Sequence, residues 1–532
     1  MPMNKKRHLV GVILLVLILG LGIFFRFYNI DKKVFWHDEI YTRLHVAGYR
    51  SQEWQQALFT GKIISIKDMQ KYLHLDPQRG LDDTIVTLAT NDPHHPPIYY
   101  MIARYWVAAF GDSITTYRLL SAILSVLAFP AIYWLSLELF GSPTIGWISV
   151  AVIASSPFAV LYAQEAREYA LWTVIILLLN WSLLRATRLT RDTTCLRGKK
   201  VLSWGFYAIL TAISLYISMS TSLIVASHAI YIVIAEKMRP TKTVTAYLIS
   251  ATISLILFLP WILVFRANFE TFSNSTAWSR TTIVSPAILF QSLGLNLSRA
   301  FIDFGWEYEQ PLTYIIVFTA ITLVFYSFYW LCRTTSLRVS AFILTAIAVP
   351  IAMLFLPDLF LGGVRSLSAR YFTPVFLGIY LSLSYLIATQ LLSSKVGSII
   401  AAILISLSLI SCAVNSQLDT SWTKVISYSI PQVARIINQS SYPLLVGHQN
   451  SYNPGNLFAL SYLLKPEAKL QLFAEEREYE IPTGFSDIYL LSPSDKFREN
   501  LEKEKAVKVK WVFGDLHLWL WKIKGDSQSL SD

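Results

Sequence analysis

Long apolar runs separated by short clusters of charge set the pattern of this chain. The first run, residues 9–25, follows Lys5, Lys6 and Arg7. Others lie at 121–139, 145–162, 169–184, 203–219, 221–235, 244–265, 311–332, 339–356, 372–392 and 397–414. A helix needs about 20 apolar residues to cross about 30 Å of hydrocarbon. The pattern therefore predicts a polytopic α-helical membrane protein with about eleven crossings. No small-residue cleavage site follows the first run, which continues Arg26-Phe27-Tyr28-Asn29. It reads as a retained helix whose N-terminus is cytoplasmic.

The polar loops orient the spans. Arg185, Arg188, Arg191, Arg197, Lys199 and Lys200 form a basic run, which belongs on the cytoplasmic side. Lys237, Arg239, Lys242, Arg333, Arg338 and Lys395 fall on that side by the same count. The segments 31–93, 164–168, 266–310 and 357–370 are then extracytoplasmic. The apolar stretch 98–110 is too short for a comfortable crossing and contains Arg104. It is predicted to lie along the outer membrane surface, with Tyr99, Tyr100, Tyr105 and Trp106 at the interface.

Beyond residue 415 the pattern changes. Short strand-like runs occur at 444–447, 488–491, 507–513 and 517–523, with helical stretches starting near Pro454 and Ser494-Asp495. The expected organisation is a transmembrane module at 1–414, with 31–114 as its first external loop carrying juxtamembrane helices. An extracytoplasmic α/β domain occupies 415–532.

Composition supports this picture. Of 532 residues, 54% are hydrophobic and 15% charged, where a soluble domain has about a quarter charged. Mean hydropathy is +0.47. The net charge of +11 would suit a nucleic-acid partner, but its placement in short loops is that of a membrane topology signal. Cys195, Cys332 and Cys412 are far apart, without metal-ligand spacing, so no disulfide framework is expected.

Four polar clusters fall on the outer side by this topology. Trp36-His37-Asp38-Glu39 follows the first span. Its acids either cap a helix or supply a carboxylate that accepts a proton from a hydroxyl nucleophile. Asn91-Asp92-Pro93-His94-His95-Pro96-Pro97 suits the start of a helix. Its adjacent histidines are candidate ligands for a divalent metal, or donors to a phosphate, although i, i+1 spacing is poor for both rings to hold one ion. Gln164-Glu165-Ala166-Arg167-Glu168-Tyr169 places two acids and an arginine between spans, where polar groups are costly unless satisfied or used. Arg365 and Arg370-Tyr371 stand at the mouth of a later span, either snorkelling to headgroups or taking a lipid phosphate bidentately. His228, mid-span, is expected to be a packing residue. There is no Gly-rich phosphate loop and no Ser/His/Asp arrangement.

In this order the clusters resemble the GT-C membrane glycosyltransferases that use polyprenyl-phosphate sugars. The similarity is greatest to the protein O-mannosyltransferase and lipid A aminoarabinose transferase superfamily (glycosyltransferase family 39-like). The matching pieces are Asp38-Glu39, His95-Pro96-Pro97-Ile98-Tyr99-Tyr100, Tyr117-Arg118-Leu119-Leu120-Ser121, Ser156-Pro157-Phe158 with Gln164 to Tyr169, and Ala369-Arg370-Tyr371-Phe372-Thr373-Pro374. The first 190 or so residues match well and the later spans loosely. The resemblance implies Asp38 as catalytic carboxylate with Glu39 supporting it. It implies Arg370, joined by Arg365, as holder of the donor phosphate. His94 or His95 stands where some relatives have a metal- or substrate-contacting acid, and the change to histidine puts a metal in doubt. His94, His95, Tyr99, Glu165, Arg167, Tyr169, Arg365, Arg370 and Tyr371 are thus the candidate substrate- and phosphate-binding residues.

The implied function is transfer of a sugar from a polyprenyl-phosphate donor to a hydroxyl or amine of a glycan, lipid or protein acceptor. The setting is the extracytoplasmic face of a plasma (inner) membrane, with inversion at the anomeric carbon. A glycan polymerase or ligase would share this donor chemistry. A transporter is the rival from another class, but neither inverted repeats nor helices broken at the midplane stand out.

Overall fold

A computed structural model describes residues 5–449, 453–474, 480–505 and 507–524. The chain divides into two units, Met1–Ile30 with Leu88–Ile102 and Thr115–Gln417, and Asp31–Thr87 with Ala103–Ile114 and Leu418–Asp532.

The first unit is helical. Among the described residues nine helical stretches are long and apolar enough to cross a membrane, and a bent pair makes a tenth. The eleventh expected span, Thr221–Ala235, is a helix of 15 residues, about 22 Å long at 1.5 Å per residue. Leu9, Val10, Leu14, Val16 and Leu17 are all more than half exposed, an apolar surface suited to lipid. The Tyr169–Arg191 helix is the opposite case, with 72% of its apolar window buried among its neighbours.

The bent pair, Pro143–Ser155 and Pro157–Ala163, turns by 63°. Pro157 has no N–H to give the Ile153 carbonyl, so the helix must break there. Arg26, 1% exposed, reaches over from the first helix and donates to the Ile153 carbonyl at 3.0 Å and the Ala154 carbonyl at 2.9 Å. Cys412 lies 3.3 Å from the Ser155 carbonyl. Gln164 returns the favour from the far side of the bend, donating to the carbonyls of Phe25 and Tyr28 at 2.9 Å each. Every cap here satisfies a backbone group that lipid could not.

His228 packs as expected. Its Nε2 lies 2.7 Å from the Asn180 amide oxygen and its Nδ1 2.9 Å from the Tyr207 hydroxyl. With Nε2–H donating, Nδ1 accepts from the tyrosine, and the neutral ring is satisfied at both ends.

The second unit is built on a six-stranded sheet. Its strands are β1 (Thr60–Ser65), β2 (Pro443–His448), β3 (Lys469–Phe473), β4 (Asp487–Leu491), β5 (Lys508–Gly514) and β6 (Trp519–Lys524), in the order β1-β3-β2-β4-β6-β5. β2 is buried along its whole length and runs parallel to both β3 and β4, while the other pairings are antiparallel. Helices follow at Pro454–Ser461 and Asp495–Lys505. Four strands and both helices lie where the sequence pattern put them. β3 and β1 do not follow from it. The pairing of β1 with β3 makes residues 60–65 part of the same sheet as the chain beyond 443, whereas the sequence analysis grouped them with the first external loop.

Candidate functional site

The candidate residues gather into a polar constellation in each unit. In the second unit the His37–Ala47 helix begins with the acidic pair in its first turn, where the N-terminal end of the helix dipole favours negative charge. The two carboxylates have different surroundings. Glu39 is fully buried and meets the ammonium of Lys424, itself 1% exposed, at 3.0 Å. The same carboxylate oxygen accepts from the Trp36 backbone N–H at 3.4 Å, and Lys424 also sits 5.2 Å from the centre of the Trp36 ring. Asp38 is 12% exposed, with Oδ1 3.0 Å from His37 Nδ1. Backbone N–H of His37 donates to Ser427 Oγ at 3.1 Å, and Ser427 Oγ donates to the Asn456 amide oxygen at 2.6 Å. Asn456 in turn donates to the Ile426 carbonyl.

In the first unit the loop 92–95 meets the bend between Ala163 and Tyr169. Arg167, 3% exposed, places Nη1 3.3 Å from the Tyr100 hydroxyl, Nη2 3.2 Å from His95 Nε2 and Nε 3.3 Å from the Glu168 carboxylate. His95 Nδ1 lies 3.3 Å from the other Glu168 oxygen. Since the guanidinium can only donate, His95 Nε2 accepts, so Nδ1 carries the proton and points it at Glu168. That tautomer is neutral, in keeping with burial, which lowers the His95 pKa against the pull of Asp92. Burial alone would raise Glu168, but Arg167 and then His95 overrule it and hold the carboxyl at about 2. Burial likewise drives the Tyr100 phenol well above its ordinary value. The site thus contains a fixed cation, a fixed anion and a neutral imidazole.

The sequence-predicted residues separate accordingly. His94, His95 and Arg167 come together. Their bend also carries Glu165, 2% exposed, and Tyr169, whose ring lies 5.8 Å from the Arg167 guanidinium carbon. Tyr99 is fully buried with its hydroxyl 3.1 Å from Ser121 Oγ, so it holds helices together. Arg370 and Tyr371 sit in the short turn Ala369–Phe372, with the Arg370 charge within electrostatic reach of Tyr169. Arg365 is paired elsewhere, its Nη1 3.4 Å from the Asp358 carboxylate, which also takes the Ser366 N–H and hydroxyl. Asp38 and Glu39 belong to the other unit.

Asp92, His94 and His95 offer three ligand atoms within 4.8 Å of one another, the residue types that take a divalent cation. His94 Nδ1 is 2.7 Å from Asp92. His95 Nε2, however, already accepts from Arg167, and a dication on that nitrogen would stand against a guanidinium. The residues therefore fit a hydrogen-bonded polar site better than a metal centre.

Comparison with known proteins gives the same architecture. The family model described as dolichyl-phosphate-mannose-protein mannosyltransferase matches residues 94–264, a stretch that includes the 92–95 loop from His94 on and the whole 164–169 bend. ArnT from Cupriavidus metallidurans in the apo state aligns over 96% of this chain and 98% of its own, at 12% identity and TM-score 0.51. The chain has the GT-C glycosyltransferase fold. ArnT bound to undecaprenyl phosphate matches over the same shares at 14% identity and TM-score 0.50. An oligosaccharyltransferase from Archaeoglobus fulgidus is similar at 14% identity and TM-score 0.49, with 86% of this chain and 63% of that one covered. A search of curated proteins by sequence gives no match.

Glu168, Tyr100 and Lys424 are not among the candidate site residues of the sequence. Glu168 and Tyr100 stood inside the quoted motifs, and their signal was charge and hydroxyl at membrane depth, where each must be satisfied. Lys424 had no such signal. It lies more than 380 residues from Glu39, and only the folded chain brings the two together.

Proposed function

We propose that this chain is a membrane glycosyltransferase that moves a sugar from a polyprenyl-phosphate carrier to a hydroxyl or amine on the extracytoplasmic face. The observation that carries the proposal is the unequal treatment of the acidic pair on a GT-C fold. Glu39 is buried and neutralised by Lys424, while Asp38 reaches the surface from the same helical turn. A carboxylate so placed suits a general base, and its neighbour suits the role of support.

In this reading Asp38 takes the proton as the acceptor oxygen or nitrogen attacks the anomeric carbon. The bond to the phosphate oxygen breaks on the opposite face, so configuration inverts. Polyprenyl phosphate is a good leaving group and needs positive charge rather than a proton. Arg370 is assigned that role, with the Nη atoms of Arg167 as further donors. Arg365, matched by Asp358, shapes the loop instead. Base and charge stabilisation each contribute on the order of 10²-fold or more. ArnT of C. metallidurans has been seen bound to undecaprenyl phosphate, and a carrier of that chemical kind is proposed here.

The test is a transfer assay with the protein in proteoliposomes, given labelled undecaprenyl-phosphate sugars or the matching nucleotide sugars. Transfer from the lipid donor with inverted configuration is expected. Transfer from nucleotide sugars alone, or with retained configuration, would overturn the reading.

A further inference from the structure

The segment after the last span does more than lead to the sheet. Trp422–Ser427 is a short 3-10 turn, and two of its residues engage the start of the His37–Ala47 helix. Lys424 places its ammonium 3.0 Å from Glu39 with both groups buried, and Ser427 Oγ takes the His37 N–H. Ser427 is itself anchored by Asn456 from the Pro454–Ser461 helix. That helix approaches so closely that a Cβ on Gly455 would stand 2.6 Å from the His37 ring and 3.0 Å from Tyr41. Asp38 lies between the two gripped residues, His37 and Glu39.

Such a grip has a consequence for direction. One backbone hydrogen bond at His37 fixes where the turn starts, and a charge pair at Glu39 fixes its rotation about the helix axis. The Asp38 side chain, on the intervening residue, then has its heading set by groups that do not touch the reacting atoms. A buried ion pair is weak evidence for stability as such, since removing charges from water offsets much of their attraction. Its value here is orientation.

We propose that Lys424 is a positioning residue for Asp38, acting through Glu39, so that the chain beyond the last span completes the catalytic turn. This rests on the reading of Asp38 as base. The experiment compares Lys424→Met, Lys424→Arg and Asp38→Asn in the full chain, with the same labelled undecaprenyl-phosphate sugars as donors. Lys424→Met is expected to lower kcat at least tenfold with the donor KM within about twofold, and Lys424→Arg to recover most of the loss. Hydrogen exchange supplies a readout independent of turnover. Amides at the start of the His37–Ala47 helix should lose protection in Lys424→Met while those of β2 keep theirs.

Wild-type kcat in Lys424→Met, or an arginine variant no better than methionine, would overturn the inference. If Asp38→Asn transfers sugar normally, the base reading itself fails. If no lipid donor is used by the wild type, exchange alone decides whether the turn is held, and unchanged protection in Lys424→Met overturns the proposal. Loss of protection in β2 as well would mean that Lys424 holds the whole domain, which also contradicts a positioning role.

Discussion

Arg167 is the residue on which the first unit's polar site depends. It meets Glu168, His95 and Tyr100 with three different nitrogens while almost wholly buried. Arg167→Met leaves the Glu168 carboxylate buried without its cation, a change that costs about 3–5 kcal/mol. The expected drop in unfolding midpoint can be measured in detergent, and Arg167→Lys should not restore it, since an ammonium lacks the planar fork. The pH dependence has a definite sign. Glu168, held at about 2 against roughly 4.3 when unfolded, contributes stability that is complete above that unfolded value and is lost as pH falls towards its folded one. His95 stays neutral in the fold, so stability also declines as pH drops below about 6.5, where the unfolded chain takes up the proton. Glu168→Gln should flatten the acid part of the midpoint-versus-pH curve and leave the part near 6.5. An unchanged curve below about pH 4 would contradict the assignment. The charged motif at 164–168 was legible because acids beside a span demand a reason. The partner of each charge was not, because pairing depends on which loops meet.

At the scale of elements, the break at Pro157 is answered by a side chain from another helix. Arg26→Leu should leave the carbonyls of Ile153 and Ala154 without donors, at about 1–3 kcal/mol each. Pro157→Ala restores an N–H facing Ile153 and should recover part of that loss in the double variant, though not when made alone. A double variant no more stable than Arg26→Leu would show that the guanidinium does not act through these carbonyls. The spans were legible from hydropathy alone, and even the bent one, 143–163, takes in the predicted 145–162. The bend itself was half visible in Ser155-Ser156-Pro157. The Thr60–Ser65 strand was not, since its half-exposed pattern gives no two-residue alternation and its partner is β3, some 400 residues later.

For the whole molecule, the orientation proposed from basic loops places 266–310 outside and 237–242 inside. In a variant with Cys195, Cys332 and Cys412 replaced, a single cysteine at Arg280 should react with an impermeant thiol reagent added to intact cells. A cysteine at Arg239 should react only after permeabilisation, and the reverse result would invert the topology. Both residues are exposed, so protection would reflect the membrane rather than packing. The GT-C fold and its polar clusters were readable as an ordered set along the chain. How the surroundings of the two acids of one pair differ became apparent only with Lys424 in view.

The central claim is that Asp38 is the base for sugar transfer from a lipid phosphate. Asp38→Asn keeps the shape of the side chain and removes its basicity, and the Glu39–Lys424 pair beside it remains. Transfer from labelled undecaprenyl-phosphate sugar should fall by about 10²–10⁴-fold in that variant while donor binding is kept. Transfer at the wild-type rate by folded Asp38→Asn protein would contradict the account.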